Sequence, residues 1–445
     1  MANDPQAALA DRRSVPLTER RYVVPLVLIT TLFFLWALGV NLNDILIPHL
    51  KAAFGLTDFQ SSFIQIAFFG GYFLAAFPAG WLMERIGYKR GILIGLLLCA
   101  SGALLFLPAA SSKIYGFFLF SLFVMACGQS FLEVAANPYV TTLGPPESAE
   151  RRLNLTQSFN AVGAVLTPIM GAAFILTATE YSAAQLAQLT PPQLEAYRAA
   201  QVGTVRVPYL VIAGIFLAVA VLIYFTHLPD VREQEDSAHA GNAPLAWSMV
   251  LAHYHLIRGV LAQFLYVGAQ VGVASFVIRF AQHVEPGISA KDAANYLKLH
   301  ILGFMIGRFV GSAVMKRVSP PHLLALFAGC SLVCAMAAVT LSGFPAVFAI
   351  VLLGFFHSIM FPTIFALSIK NLGRYTKRGS SLLVMSIIGG AICPAIMGRI
   401  SDLSNIQRAF FVPLLCYAYV LFFALAGYKP HAAGLSQTAM EISSK

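Results

Sequence analysis

Apolar runs, each about the 20 residues that a helix needs to cross a hydrocarbon core, alternate with short polar breaks along almost the whole chain. The pattern predicts helices at about 23–50, 59–83, 89–108, 116–141, 153–178, 207–227, 250–282, 292–317, 321–342, 345–371, 380–403 and 409–428. The most polar break, 228–249, holds Asp230, Arg232, Glu233, Glu235, Asp236 and Asn242 and divides the runs six and six. The expected fold is therefore an all-α membrane protein, with twelve transmembrane helices in two pseudo-symmetric six-helix bundles. Residues 23–227 form the first bundle and 250–428 the second, with a cytoplasmic linker at 228–249 and cytoplasmic tails at 1–22 and 429–445. In the loop 179–206, Thr190-Pro191-Pro192-Gln193-Leu194-Glu195 has the pattern of a capped short helix.

Orientation follows from the bases. Arg12, Arg13, Arg20 and Arg21 precede the first run, and Arg85, Lys89 and Arg90, then Arg151 and Arg152, Lys316 and Arg317, and Lys370, Arg374, Lys377 and Arg378 fall in breaks on the same side. That asymmetry places both termini in the cytoplasm by the positive-inside rule. Composition agrees with membrane insertion: 58% of residues are hydrophobic and only 11% charged, against about 25% charged in soluble domains. The net charge of +10 lies in loop clusters and not on one phosphate-binding face, so no nucleic-acid partner is expected. Cys99, Cys127, Cys330, Cys334, Cys393 and Cys416 all lie in apolar runs without metal-site spacing, and read as packing residues. No His-Glu-x-x-His, phosphate loop or cysteine–histidine pair supports a membrane enzyme, the most remote alternative. No cofactor and no metal are expected.

Two acids stand out against this background. Asp44 lies within 23–50 and Glu133 within 116–140, where a charge near mid-bilayer costs about 2.5–3.5 kcal/mol. No base falls near mid-span in the first half to pair with either. Both are candidates for proton coupling; the alternative is an acid that ties neighbouring helices together. On the fourth helix Gln129, Glu133 and Asn137 recur every four residues, and on the fifth Gln157 and Asn160 are three apart, so each set shares a face. With Asn43 and Asp44 on the first helix, such a cluster suits a ligand rich in hydroxyls, and Trp36 is placed to cover an apolar sugar face. On the seventh helix Gln263, Tyr266 and Gln270 form a comparable stripe, assigned to the opposite wall of the site. His357 reads either as a second proton carrier or as a neutral interhelical hydrogen-bonding group. Phe361 and Phe365 read as core or as stacking residues, and Arg308 as an interhelical anchor.

The halves echo each other. Gly163, Ala164, Pro168, Met170 and Gly171 on the fifth helix correspond to Gly389, Ala391, Pro394, Met397 and Gly398 on the eleventh. The segment Gly80-Trp-Leu-Met-Glu84-Arg85-Ile-Gly87-Tyr-Lys89-Arg90 resembles the loop signature of the major facilitator superfamily. Its charges are expected to pair across helix ends and hold one access state, a gating role; a plain cytoplasmic loop with a turn glycine is the alternative. Three further strings narrow the family: Asn41-Leu-Asn43-Asp44-Ile-Leu, Leu132-Glu133-Val-Ala-Ala-Asn137-Pro138-Tyr-Val, and Arg152-Leu-Asn154-Leu-Thr-Gln157-Ser-Phe-Asn160. With Pro362-Thr-Ile-Phe and Ile369-Lys370-Asn371-Leu-Gly373, the chain resembles the fucose–galactose–glucose:proton symporters from about Thr30 to beyond Gly398.

That resemblance implies the major facilitator fold, alternating access, a proton-coupling acid at Asp44, a substrate-linked acid at Glu133, and sugar-contacting amides at Gln157 and Asn160. It weakens at Met360 and Phe361, where polar Gln and Tyr are implied, and at Val273-Ala274-Ser275-Phe276, where a Trp is implied. The expected activity is proton-coupled symport of L-fucose or a related hexose across a bacterial inner membrane. The expected partners are the sugar, protons and membrane lipid, with the chain acting as a monomer. A sodium-coupled or uncoupled carrier for glucose, galactose or an N-acetylhexosamine is the alternative.

Overall fold

Peptide groups in hydrocarbon have no water to bond, so each apolar run must close its own hydrogen bonds as a helix. The computed structural model describes residues 15–54, 56, 58–174, 188–203, 205–229 and 247–429, and among these the regular structure is helical with no strand. Helix α1 is Val23–Phe54. The stretch Asp58–Ser112 is interrupted at Gly87, whose φ of 80° and ψ of 172° are not helical, and so divides into α2 (58–86) and α3 (88–112). The positive φ explains why a glycine stands there. Then follow α4 (Tyr115–Thr142), α5 (Ala149–Phe174) and α6 (Arg206–Phe225). The second half holds α7 (Tyr254–Val284), α8 (Ala290–Val314), α9 (Pro320–Thr340), α10 (Phe344–Ile369), α11 (Gly373–Leu403) and α12 (Ile406–Gly427).

Every predicted span is thus occupied by a helix. The short helix Pro191–Gly203 also forms. The Thr190 amide donates to Gln193 Oε1 at 2.9 Å, which is the side-chain-to-amide half of a capping box, while the Thr190 hydroxyl donates to the same oxygen. The expected linker lies mostly, and the expected tails largely, outside the described residues, as does the end of the fifth run beyond Phe174. Proline shapes two helices in the second half. Pro362 cannot bond the carbonyl four residues back, and α10 is broken between His357 and Met360; Pro413 has the same relation to the break at Phe410 in α12.

Two compact units are present. One comprises Met1–Tyr22, Asn137–Leu155 and Val231–Lys445, and the other Val23–Ala136 and Thr156–Asp230. In the latter, Phe33, Leu96, Phe118 and Phe216 are buried, and Phe106 stacks on Tyr209 with ring centroids 3.7 Å apart. In the former, Phe276, Phe280, Val347, Ile350, Leu353, Phe410 and Tyr417 belong to one core. The outer surfaces are apolar: Phe225 is 80% exposed and Leu415 70%. A water-soluble protein avoids such surface, whereas lipid accepts it.

The echo between the halves has a geometric counterpart. A Cβ at Gly163 of α5 would stand 2.7 Å from the Phe34 carbonyl oxygen and the Ala37 Cβ of α1. A Cβ at Gly389 of α11 would stand 2.1 Å from the Phe264 carbonyl oxygen of α7. The fifth helix of each half therefore meets the first through a glycine, because only a missing side chain permits that approach.

The cut through α4 and α5 also has a physical cause. The end of α4 and the first turn of α5 are tied to helices of the second half. Glu150, almost fully buried, pairs with Lys370 at 2.8 Å. Asn154 Nδ2 donates to Thr363 Oγ1 at 3.1 Å, and Ser312 Oγ donates to the Arg151 carbonyl at 3.5 Å.

Candidate functional site

Polar side chains on a buried helix face must find partners in one another, since none is offered by lipid. In the 23–136/156–230 unit, α1, α2, α4 and α5 supply that set. Trp36 of α1 is only 4% exposed, and its Nε1 donates to Tyr72 Oη of α2 at 3.0 Å. The Tyr72 hydroxyl in turn donates to Gln129 Oε1 of α4, a long contact of 3.5 Å. Ser130 Oγ donates to the Tyr72 carbonyl at 3.0 Å, which fixes α4 against α2. Glu133 lies one turn beyond Gln129 and is 4% exposed. Gln157 of α5 is buried, and half-buried Asn160 donates from Nδ2 to the Phe33 carbonyl of α1 at 3.1 Å. Glu133, Gln157 and Asn137 each have further interactions within the protein.

This places the predicted Trp36, Glu133, Gln157 and Asn160 in one unit, on helices that touch. Asn137, on the same face of α4, is buried and belongs to the other unit. Asn43 and Asp44 lie on α1, but their side chains fall outside the described residues. Tyr72 was not singled out from sequence, yet it links Trp36 to Gln129. A tyrosine among Phe68, Phe69 and Phe73 carries no spacing signal of its own.

The stripe on α7 lies in the other unit and is built differently. Gly259 faces Ser368 of α10, leaving room for its hydroxyl. One turn on, Gln263 is fully buried, and neither its Oε1 nor its Nε2 meets a hydrogen-bonding group among the described residues. Tyr266 follows, donating to the His357 carbonyl at 2.8 Å, and Gln270 is half-buried. His357 itself bonds through Nε2 to Tyr417 Oη, with the His300 ring 5.7 Å away at 76°. His300 Nδ1 donates to the Ile350 carbonyl at 2.9 Å, so its proton sits on that nitrogen. No carboxylate of the described residues contacts this histidine pair. The arrangement matches an interhelical hydrogen-bonding His357. Phe361 and Phe365 stack at 6.3 Å, with Phe365 fully buried. The Arg308 guanidinium lies over the Phe304 ring at 4.6 Å, one turn back on the same helix.

The 80–90 segment is ordered by local contacts. Buried Gly80 precedes half-buried Glu84, which makes interactions of its own. Arg85 lies over the Trp81 ring at 4.0 Å. Lys89 Nζ donates to the carbonyls of Tyr224 at 3.0 Å and Thr226 at 2.8 Å, capping the C-terminal end of α6 where the helix dipole is negative. Arg90 is exposed. Among the described residues, no group of three or more His, Cys, Asp or Glu could hold a metal.

Residues 29–394 match the model of the Major Facilitator Superfamily. The chain belongs to this superfamily. It is 44% identical over 409 residues to the L-fucose-proton symporter of Escherichia coli K12, covering 91% of this chain and 93% of that protein. It is 42% identical over 413 residues to the glucose/galactose transporter of Brucella abortus, covering 93% and 96%. A crystal structure of the superfamily transporter FucP in the outward conformation matches with a TM-score of 0.85 and 44% identity, covering 91% of this chain and 99% of that one. This superfamily member is a multi-pass membrane transporter, and its work is transport, not catalysis.

Proposed function

We propose that this transporter carries a hexose, L-fucose or a close relative, into the cytoplasm together with a proton, working as a monomer in a bacterial inner membrane with both termini inside. The observation that carries the reading is the buried polar set on α1, α2, α4 and α5, within helices whose outer faces are apolar. Hydrogen bonds between membrane helices contribute only about 0.6 kcal/mol each on average, so stability alone is a weak reason to keep Glu133 and several amides there. A sugar supplies the hydroxyls that Glu133, Gln157 and Asn160 can bond; within the other unit, the Gln263, Tyr266 and Gln270 stripe on α7 is of the same hydroxyl-bonding kind. The names of the two relatives above support a sugar substrate, and that of the E. coli protein supports proton coupling.

The chemistry of coupling follows from charge. An ionised carboxylate resists transfer into apolar surroundings, and protonation removes that cost. Asp44, protonated from the outside, lets the loaded carrier reorient; release of the proton inside returns the site to its starting state. The membrane potential adds about 2.3 kcal/mol per charge per 100 mV. The Gly80–Arg90 loop, with Lys89 on the end of α6, holds α2, α3 and α6 together at the cytoplasmic ends and so biases one access state.

The test is uptake by reconstituted protein of a panel of fucose, galactose, glucose and N-acetylglucosamine, under an imposed pH gradient and separately under a sodium gradient. Accumulation of one hexose driven by the pH gradient without sodium is the expected result. Accumulation that needs sodium, or none under either gradient, contradicts it.

A further inference from the structure

Arg152 is fully buried, and among the described residues its guanidinium is held by hydrogen bonds to carbonyls and a hydroxyl, with the Glu150 carboxylate acting on it without a direct ion pair. A buried guanidinium needs every N–H satisfied, and backbone carbonyls do this. Nε donates to Val140 O at 2.7 Å. One terminal nitrogen donates to Thr141 O at 2.5 Å, with Gly144 O at 3.5 Å. The other reaches Leu17 O at 2.8 Å, Ser148 Oγ at 2.9 Å and Pro145 O at 3.3 Å. Val140 and Thr141 lie in the last turn of α4, where a cation is favoured by the helix dipole; the Val140 carbonyl also accepts from the Leu143 amide at 3.3 Å. Leu17 is different in kind: it belongs to the segment before α1.

That segment is held at three points. Besides the Arg152 bond, Thr18 Oγ1 donates to Leu143 O at 2.6 Å, and Ser148 Oγ lies 3.3 Å from Leu17 O. Gly144 makes the fit possible, since a Cβ there would stand 2.7 Å from the Arg152 guanidinium and 3.0 Å from Leu17 O. At its near end, Val15 helps to line a cleft of about 30 Å³ with Glu147, Arg151, Met315, Lys316 and Pro320. The segment is therefore bonded to the α4–α5 turn of the first half and faces the α8–α9 turn of the second across this cleft. The same α4–α5 region makes the Glu150–Lys370 and Asn154–Thr363 contacts.

We propose that residues 15–19 form a strap across the cytoplasmic seam between the halves, and that Arg152 is the positioning residue that clasps it to the α4–α5 turn. The strap rides with the first half. When the cytoplasmic side opens, its Val15 end parts from Lys316 and Pro320 while the Arg152 clasp stays made. The proposal rests on the alternating-access reading above.

The test uses full-length protein carrying Val15→Cys with Lys316→Cys, joined by a short reducible bis-methanethiosulfonate linker. The native chain, whose cysteines all lie in the spanning helices, is treated in parallel. The linked protein is expected to bind sugar by calorimetry yet to lose counterflow by on the order of tenfold or more, with recovery on reduction. Exchange at the native rate by linked protein overturns the strap and leaves sugar symport standing. A second readout is independent of transport: the rate at which a water-soluble maleimide labels Val15→Cys. Adding Arg152→Lys, which keeps the charge and loses the fork, is expected to raise that rate about tenfold. Gly144→Val, which keeps Arg152 and fills its place, is expected to do the same. Unchanged labelling in both overturns the clasp. If the unlinked protein exchanges no sugar of the panel, the transport reading fails and labelling alone decides the strap.

Discussion

The two buried polar sets differ in how far the protein itself satisfies them. In the unit built from α1–α3 and most of α4–α6, Trp36, Tyr72 and Gln129 form a chain of donors and acceptors, and Asn160 is tied to α1. On α7, Gln263 is buried with both ends of its amide unmatched among the described residues. An unmatched buried polar group costs about 1–3 kcal/mol. In the first set only the Nε2 end of Gln129 is left so among the described residues, whereas Gln263 leaves both ends, so the α7 stripe carries the larger cost. The first set is largely oriented in advance by its own hydrogen bonds; on the sugar-binding reading proposed above, Gln263 is the residue that gains most from a hydroxylated ligand.

The largest effect expected from breaking this comparison is at Glu133. Glu133→Ala should abolish sugar binding by calorimetry and counterflow alike, and retained binding would remove the acid from the site. Gln157→Ala and Asn160→Ala come next, each weakening binding by about 1–3 kcal/mol; normal titration curves for both would contradict the assignment. Asn160→Ala should also lower Tm, because the Phe33 carbonyl loses its donor.

Gln263→Leu separates cost from use. Removing two unmatched polar ends should stabilise the empty protein by about 1 kcal/mol, read as a higher Tm, while weakening sugar binding severalfold. A higher Tm with unchanged binding would make Gln263 a structural residue only. The smallest effect is predicted for Tyr72→Phe, about 0.5–1.5 kcal/mol of stability, with transport reduced but present. Complete loss of transport there would mean that Tyr72 touches the substrate.

Much of the architecture was legible because lipid enforces a simple rule: long apolar runs become helices. The loop glycine at Gly87 and the paired glycines Gly163 and Gly389 were readable for the same reason, since their missing side chains answer a backbone demand. Glu133, Gln157 and Asn160 could be found because an acid or amide in an apolar run is unusual. Tyr72 could not, as its ring is at home in a membrane helix and only its hydroxyl matters. Arg152 read as one base in a positive-inside cluster. That it is buried depends on carbonyls from Leu17 and from the end of α4, contacts that no spacing rule reports. The break in α10 was likewise hidden, although its Pro362 was in view.

The central claim is a division of labour, with the proton on Asp44 and the sugar on Glu133. Its most direct test compares Asp44→Asn with Glu133→Ala in proteoliposomes, measuring counterflow beside net uptake driven by an imposed pH gradient. An amide mimics a protonated acid, so Asp44→Asn should bind and exchange sugar while failing to accumulate it, and Glu133→Ala should lose both activities. Accumulation by Asp44→Asn, or equal loss of exchange in the two variants, would contradict the account.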